Sequence, residues 1–435
     1  MLLLTLVTIQ HMDMVGLIAT RRDGGIHSSA ELEYIARGAA SGSIPDYQLA
    51  AWLMAAYLNP LSDQETADLT TAMAFSGERV DLTGLPEPWV DKHSTGGVGD
   101  KTTIVLLPLL AACGLTVVKM SGPGLGITGG TVDKLSSVPG FRMDLSPEEM
   151  KEQAKKIGLA ITGQTPVLAP ADKTLYALRD VTATVPSLPL IVSSILSKKI
   201  AGGAKIVVLD VKCGRGSFNK TPDDARALAA ALKSVGESAG LKVEVRITDM
   251  EQPLGRAAGN AIEVQEAIRV LKGETGRFTD LCLELARTTL QASGLNPDLA
   301  QEKLGDGSAL AKAKEWFEYQ GGDLSVFEDE SWSEAPVFTE VMHSGIAKWV
   351  ESIDAQVVGQ VVLNLGGGRK EKGDSIDTRV GVETLVEVGS QVTEGDPLFY
   401  VLAAEASASS AAANALKQAI TFSEAPIEKR PVVLN

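Results

Sequence analysis

Between residues 89 and 130 the chain runs twice from an apolar segment into a glycine-rich loop. WVDKHSTGGVGD makes the first passage and LTVVKMSGPGLGITGG the second. The intervening TTIVLLPLLAACG has the length of a helix and stops at Gly114. Two further apolar runs, Ile206–Lys212 and Lys242–Thr248, are separated by a helical segment opening at Thr221-Pro222-Asp223-Asp224. Strands separated by helices must be joined by crossovers. Strands joined that way pair in parallel, with helices covering the sheet faces. The central part of the chain therefore reads as an α/β domain.

The parts on either side differ. Ser28–Ser29 precede ELEYIARGAASG, which has apolar positions at helical spacing; Tyr47–Leu58 is an apolar helix stopped at Asn59–Pro60; and Ser62 and Glu65 form a capping box for a helix through Met73. These place a helical domain over 12–75, with a polar connection from Ser76 to Pro88. Ser146-Pro147-Glu148-Glu149 caps a helix that ends at Gly158. Late in the chain LVEVGSQVTEGDPLFYVLAA reads as short strands turning at Gly389 and Gly395–Asp396, a small C-terminal α/β part.

Composition narrows the function. Forty basic against fifty-five acidic residues give a net charge of −15, unsuited to general binding of nucleic acid or anionic membrane, so an anionic ligand needs a local site. Cys113, Cys213 and Cys282 are too few and too scattered for a disulfide framework and suit a reducing, cytoplasmic setting. Four histidines, His11, His27, His93 and His343, make a multi-histidine metal centre improbable. The apolar MLLLTLVTIQ is too short to span a membrane and has no basic segment ahead of it. We read it as an upstream start, with the domain opening near Met12 or Met14; a short N-terminal strand or helix is the alternative.

In the first loop, Lys92 through Thr103, glycines allow main-chain N–H groups to approach an anion, and the following helix directs its N-terminus there. Lys92, Ser94 and Thr103 add a charge and two hydroxyls. A nucleotide P-loop would need glycine where Thr95 and Asp100 stand. A turn that merely joins strand to helix is the plain alternative. In the second loop Gly124, Gly126 and Gly129 fit a dinucleotide fingerprint with Asp144 some twenty residues on, but Pro139–Gly140 leaves too little helix for that fold. Two loops at neighbouring strand ends, enclosing one phosphate, fit better, with Ser121 and Thr131 as donors from the second side. A third cluster, LYALRD followed by SSILSKK, offers Arg179, Ser194 and Lys198 to the polar edge of a planar ring, unless these are only surface charges.

Together, DKHSTGGVGDKTT, KMSGPGLGITGGTVDKL, LYALRDVTATV, SSILSKK, DVKCGRGSF, EQPLGRAAGNAIEVQEAI and LNLGGGRKEKGDSID resemble the pyrimidine-nucleoside phosphorylase and thymidine phosphorylase family over nearly the whole chain. The resemblance implies a homodimer of two-domain subunits. Each has a small all-α domain, here 12–75 and 170–200, and a larger α/β domain with a central mixed sheet, here 76–169 and 201–345, extended by a C-terminal part, 346–435. Phosphate is implied on the large domain and pyrimidine on the small one, brought together by closure. Matched by position, Lys92, Ser94, Thr103, Ser121 and Thr131 are implied phosphate ligands. His93, Arg179, Ser194 and Lys198, with Tyr176, are implied at the base, and Leu125, Val185, Ile191 and Phe218 form an apolar wall. His93, Arg179 and Lys198 are the expected catalytic residues, with His93 the candidate for protonating the leaving base. No cofactor is required beyond phosphate as co-substrate, although some members hold a potassium ion. Its matching positions are Gly99, Lys101, Leu254, Ala257 and Glu266, and a lysine at 101 could itself supply the positive charge.

Lys119 resembles the broad-specificity branch that accepts uridine and thymidine, because a lysine there could donate to a ribose 2′-hydroxyl. The family motif is broken where Pro123, Ile127 and Ser136 replace arginine, histidine and glutamate; loss of the arginine with the glutamate suggests one ion pair given up as a unit. The expected reaction is reversible phosphorolysis of uridine, thymidine and deoxyuridine to free base and an α-sugar 1-phosphate. A thymidine-selective enzyme is the alternative. A phosphoribosyltransferase, a nicotinamide-dependent dehydrogenase and a non-catalytic nucleoside-binding homologue are more remote.

Overall fold

The structure, a computed structural model, describes residues 12–124, 127, 129–371 and 373–434. In chain order the first elements are helices α1 (Met14–Arg22), α2 (Ser29–Ser41), α3 (Asp46–Leu58) and α4 (Asp63–Ala74). Then come β1 (Trp89–Ser94), α5 (Thr102–Ala112), β2 (Thr116–Met120), α6 (Thr131–Leu135), α7 (Pro147–Ile157) and β3 (Leu159–Thr162). Helices α8 (Pro170–Val181) and α9 (Leu188–Ala201) precede β4 (Ile206–Cys213), α10 (Pro222–Ser238), β5 (Lys242–Asp249) and β6 (Ala257–Gly259). Four helices follow: α11 (Ala261–Leu271), α12 (Arg277–Ala292), α13 (Leu299–Gly305) and α14 (Ser308–Tyr319). The C-terminal part holds β7 (Val337–Met342), β8 (Lys348–Ile353), α15 (Ala355–Leu365), β9 (Gly381–Thr384), β10 (Gln391–Val392), β11 (Pro397–Ala403), α16 (Ala406–Ala419) and β12 (Ile420–Ser423).

Helix starts follow local chemistry. Ser28, Ser62 and Ser146 each accept the N–H three residues on while Glu31, Glu65 and Glu149 reach back, which satisfies donors that a helix start otherwise leaves orphaned. Thr221 and Asp224 exchange the same pair of bonds at the head of α10. Helix α7 ends at Gly158 in the left-handed conformation, φ 81°.

The chain divides into two compact units. One takes the N-terminal helices through Arg79, Pro166–Ala201 and Ser234–Gly240; the other takes Val80–Thr165, Gly202–Lys233 and everything from Leu241 on. The first unit buries Leu32, Ile35, Leu49, Trp52, Leu53 and Leu69 from α2, α3 and α4 with Leu175 and Leu190 from α8 and α9.

In the second unit a five-stranded sheet has the order β3-β2-β1-β4-β5, with every neighbouring pair parallel. The sheet is not the single mixed one implied by the resemblance. Antiparallel pairing is confined to two smaller sheets, β6-β9-β11-β7 and β10-β8-β12. The reason lies in the connections: each central strand is joined to the next by a helical crossover, whereas the late strands are joined by turns or by α15 and α16. Helix α5 is buried from Thr102 to Ala111, so it reads as a continuous apolar run rather than an amphipathic one. It packs among α12 and α14, whose Phe278, Leu285, Trp316 and Phe317 share its core.

Candidate active site

The sequence of β1 places Asp91, Lys92, His93 and Ser94 at the C-terminal end of a central parallel strand, the usual position for ligand binding in an open α/β sheet. Ser94 pairs in register with Asp210 of β4. Thr95 then stitches the first glycine loop to that strand. Its N–H donates to the Asp210 carbonyl (3.0 Å), and its hydroxyl accepts the Lys212 N–H (2.9 Å). Gly96 and Gly99 turn the chain at φ 86° and 77°, values that strain any other residue.

A buried ionic lattice lies beneath the loop. The Lys92 ammonium meets the Thr102 hydroxyl and lies 3.6 Å from Asp210. Lys212 lies 2.7 Å from the same carboxylate, whose other oxygen accepts from Thr248 (2.6 Å). Asp100 accepts from the Thr102 hydroxyl at 2.7 Å. Burial alone would raise its pKa, but Lys92, Lys212, Lys134 and the Ser94 hydroxyl overcome that and hold the carboxyl well below the usual range. Sequence reading passed over Asp100, Lys134, Asp210 and Lys212. The signal was there for two of them: a charge pair inside the apolar run IVVLDVK has to be paired when buried.

Lys134 joins the two loops. Its ammonium donates to the carbonyl of Asp100 in the first loop (2.7 Å) and to that of Gly129 in the second (3.2 Å), and it lies 2.8 Å from Glu263 of α11. Burial raises the Glu263 pKa, opposed by Lys134 and Lys101. Asp133 holds the second loop from its other side: it accepts the Gly124 N–H (2.6 Å) and is paired with Arg369 at 2.7 Å. The glycine-rich LNLGGGRK segment thus contributes a positioning residue.

Each residue expected at the phosphate has a definite place. Thr103 lies in the first turn of α5, Ser121 just after β2, and Thr131 at the start of α6. None of their hydroxyls makes a hydrogen bond with another described residue, which leaves three donors available to a ligand. Ser94 is engaged with the Gly96 N–H (3.2 Å) and Asp100, and Lys92 with its partners above. Lys119, expected at the ribose, is buried in β2 with its ammonium on the Lys92 carbonyl and 3.3 Å from Asp91. His93 is half-buried and has a partner. Phe218 is 72% exposed, Val185 and Ile191 are half-buried, and Leu125 lies outside the described residues.

In the helical unit Ser194 and Lys198, one turn apart on α9, are joined at 2.9 Å, and Lys198 also bonds Asp172 of α8. Burial lowers the Lys198 pKa, and Asp172 opposes the shift. Sequence reading missed Asp172; its pattern, a carboxylate in the first turn of an amphipathic helix, reads as an ordinary dipole partner. Arg179 is buried and spends its guanidinium on the main chain, reaching Val185 O (2.7 Å), Leu190 O (3.0 Å) and Thr184 O (3.4 Å). It braces the 184–190 turn, and Tyr176, 37% exposed, lies beside it with its ring centroid 5.9 Å from the guanidinium.

The motif departures also have places. Ile127 packs against the apolar cluster of the C-terminal part, where a Cβ on Gly359 of α15 would come within 3.0 Å of it. An isoleucine therefore serves packing at that point. Pro123 and Ser136 are exposed. No cluster of three or more histidine, cysteine, aspartate or glutamate residues able to hold a metal occurs among the described residues.

Known proteins share this layout. Residues 15–77 match the glycosyl transferase family helical bundle domain, 86–312 the glycosyl transferase family a/b domain, and 349–423 the pyrimidine nucleoside phosphorylase C-terminal domain. The pyrimidine-nucleoside phosphorylase of Geobacillus stearothermophilus is 46% identical over 397 residues, 90% of this chain and 92% of that protein. That of Bacillus subtilis is 45% identical over 399 residues, with the same coverage. A crystal structure of anthranilate phosphoribosyltransferase from Thermus thermophilus superposes with a TM-score of 0.57 at 20% identity, over 70% of this chain and 99% of the other, a likeness of fold. With both glycine loops, the helical bundle and the C-terminal part all accounted for, the chain belongs to the pyrimidine-nucleoside phosphorylase family of pentosyltransferases.

Proposed function

We propose that this protein catalyses reversible phosphorolysis of uridine, thymidine and deoxyuridine, giving free base and an α-sugar 1-phosphate. One observation carries the reading. Two glycine loops tied to one ammonium, Lys134, present three hydroxyls, those of Thr103, Ser121 and Thr131, that no described residue uses. Such an arrangement suits an oxyanion, because it combines main-chain donors with hydroxyls.

The chemistry follows from charge. Phosphate oxygen attacks C1′ from the face opposite the base, so a C–O bond forms as the C1′–N1 bond breaks and the sugar inverts. The loops position the phosphate, a proximity effect. The leaving base takes up the bonding pair and must receive a proton or hydrogen bonds. His93 and Lys198 are proposed as those donors, with Arg179 shaping the turn that carries Val185. The phosphate-side residues belong to the α/β unit and Arg179, Ser194 and Lys198 to the helical unit. The breadth of substrates rests on what the relatives are named for, since Lys119 is engaged within the sheet.

The test is release of free base from uridine, thymidine, deoxyuridine and cytidine, each with and without phosphate. Base appearing only with phosphate, from uridine and thymidine alike, and undiminished by EDTA, is the expected result. Release from thymidine and deoxyuridine but not uridine gives the thymidine-selective enzyme. No phosphate-dependent release from any nucleoside defeats the reading.

We also propose a homodimer in a reducing, cytoplasmic setting. Helix α3 buries Leu49, Trp52 and Leu53 yet exposes Tyr47, Met54, Tyr57 and Leu58, so it is apolar on both faces, as a helix covered on two sides would be. The three cysteines are free and buried, and no helix among the described residues is long and apolar enough to cross a membrane. Sedimentation equilibrium at a single subunit mass would sink the dimer.

A further inference from the structure

Gly99, Lys101, Leu254, Ala257 and Glu266, the positions that in some relatives surround a potassium ion, do gather in the α/β unit, but their centre holds the Lys101 ammonium. It donates to the carbonyls of Leu254 (2.6 Å) and Ala257 (3.0 Å) and lies 2.6 Å from Glu266 Oε2. An ammonium has three N–H donors, and here each has an oxygen. One carboxylate balances one cation, and both Glu266 oxygens are also engaged, by the N–H groups of Arg256 (2.8 Å) and Ala257 (2.7 Å). The remaining candidate, the Gly99 carbonyl, already accepts the Lys101 N–H at 3.0 Å. Space is equally committed. A Cβ on Gly99 would stand 2.7 Å from Leu254 O, and one on Gly255 would stand 3.0 Å from Lys101 Nζ. A metal cation does not fit beside this ammonium, since it would meet a buried like charge among oxygens already engaged.

We propose that Lys101 is a built-in monovalent cation: its tethered ammonium replaces an exchangeable ion and clamps the end of the first glycine loop to the 254–257 turn and α11. A covalent cation cannot be lost by dilution, so stability no longer depends on a free ion.

Thermal melting tests this in KCl, NaCl and choline chloride at equal ionic strength. Wild type is expected to melt at one temperature in all three. Lys101→Ser vacates the cradle and keeps its oxygens. It is expected to melt lower in choline chloride, by about 5–10 °C for a buried carboxylate left unpaired, and to recover saturably with KCl or NaCl. A saturable potassium-dependent rise in wild-type melting would overturn the proposal. So would a folded Lys101→Ser protein that melts alike in the three salts. If that variant is not recovered, the wild-type series alone decides. The readout is stability, so its failure leaves the phosphorolysis reading standing.

Discussion

The two units treat their buried lysines differently. In the α/β unit the fully enclosed Lys134 donates to two carbonyls from different loops and lies 2.8 Å from Glu263. In the helical unit Lys198 keeps 16% of its side chain exposed and bonds Asp172 and Ser194, while the second Asp172 oxygen has no hydrogen-bond partner among the described residues. An ammonium that ties two loops together by their carbonyls holds a shape. One that is partly exposed beside an unpartnered carboxylate oxygen leaves polar capacity for a ligand. The predictions below test whether that difference separates framework from contact surface.

The largest expected effect is on framework. Lys134→Met leaves Glu263 buried without its cation and releases both loops, and we expect a loss of about 3–5 kcal/mol by urea denaturation. A loss below about 1 kcal/mol would erase the contrast. Lys198→Ala should do the reverse. Base release falls about 10²–10³-fold, while the rise in melting temperature on adding phosphate stays as in wild type. Equal loss of both would assign Lys198 to the framework.

The same lysine predicts a pH dependence. Burial lowers its pKa, so the donor ammonium is lost earlier on the alkaline side than an ordinary lysine would be. kcat/KM should therefore decline as pH rises through that lowered value, and Lys198→Arg, which stays charged, should abolish the decline whatever its absolute rate. The sign for stability is opposite. The unfolded chain holds the proton more tightly, so this group makes stability rise with pH between its folded and unfolded values.

A smaller effect is expected from Arg369→Ala, which frees Asp133 and loosens Gly124. The KM for phosphate should rise about tenfold, roughly 1.4 kcal/mol, with kcat nearly unchanged. A fall in kcat alone would place Arg369 elsewhere in the reaction. The smallest concerns Pro123 and Ser136. Both are exposed, so restoring arginine and glutamate together should couple by about 1 kcal/mol or less in a double-mutant cycle. A strictly additive result would show that no ion pair was given up there.

Local chemistry was legible wherever a few neighbouring residues decide it. The capping box at Ser62, the cap at Ser146, the stop at Gly158, the helix Tyr47–Leu58 and the strands Ile206–Lys212 and Lys242–Thr248 all stand in the structure as read. Parallel pairing in the central sheet was legible from alternation, although the resemblance implied a mixed sheet. Reading the chain for ligands took Lys92, Lys119 and Arg179 as donors to substrate. In the structure they have partners within the protein: Thr102 and Asp210, Asp91 and the Lys92 carbonyl, and the carbonyls of the 184–190 turn. Conversely, Lys134 and Asp133 sit in the quoted TVDKL without attracting notice.

What sequence determines here is whatever acts over one or two turns: helix caps, apolar periodicity, and glycines where the chain must turn through positive φ. Only the tertiary structure decides which of several chemically equivalent ammonium groups is spent on the scaffold. Lys101 finds carbonyls 153 and 156 residues away, and Arg369 finds a carboxylate 236 residues back. A charge is satisfied by whatever oxygen lies within about 3 Å, and at such separations the fold brings that oxygen there.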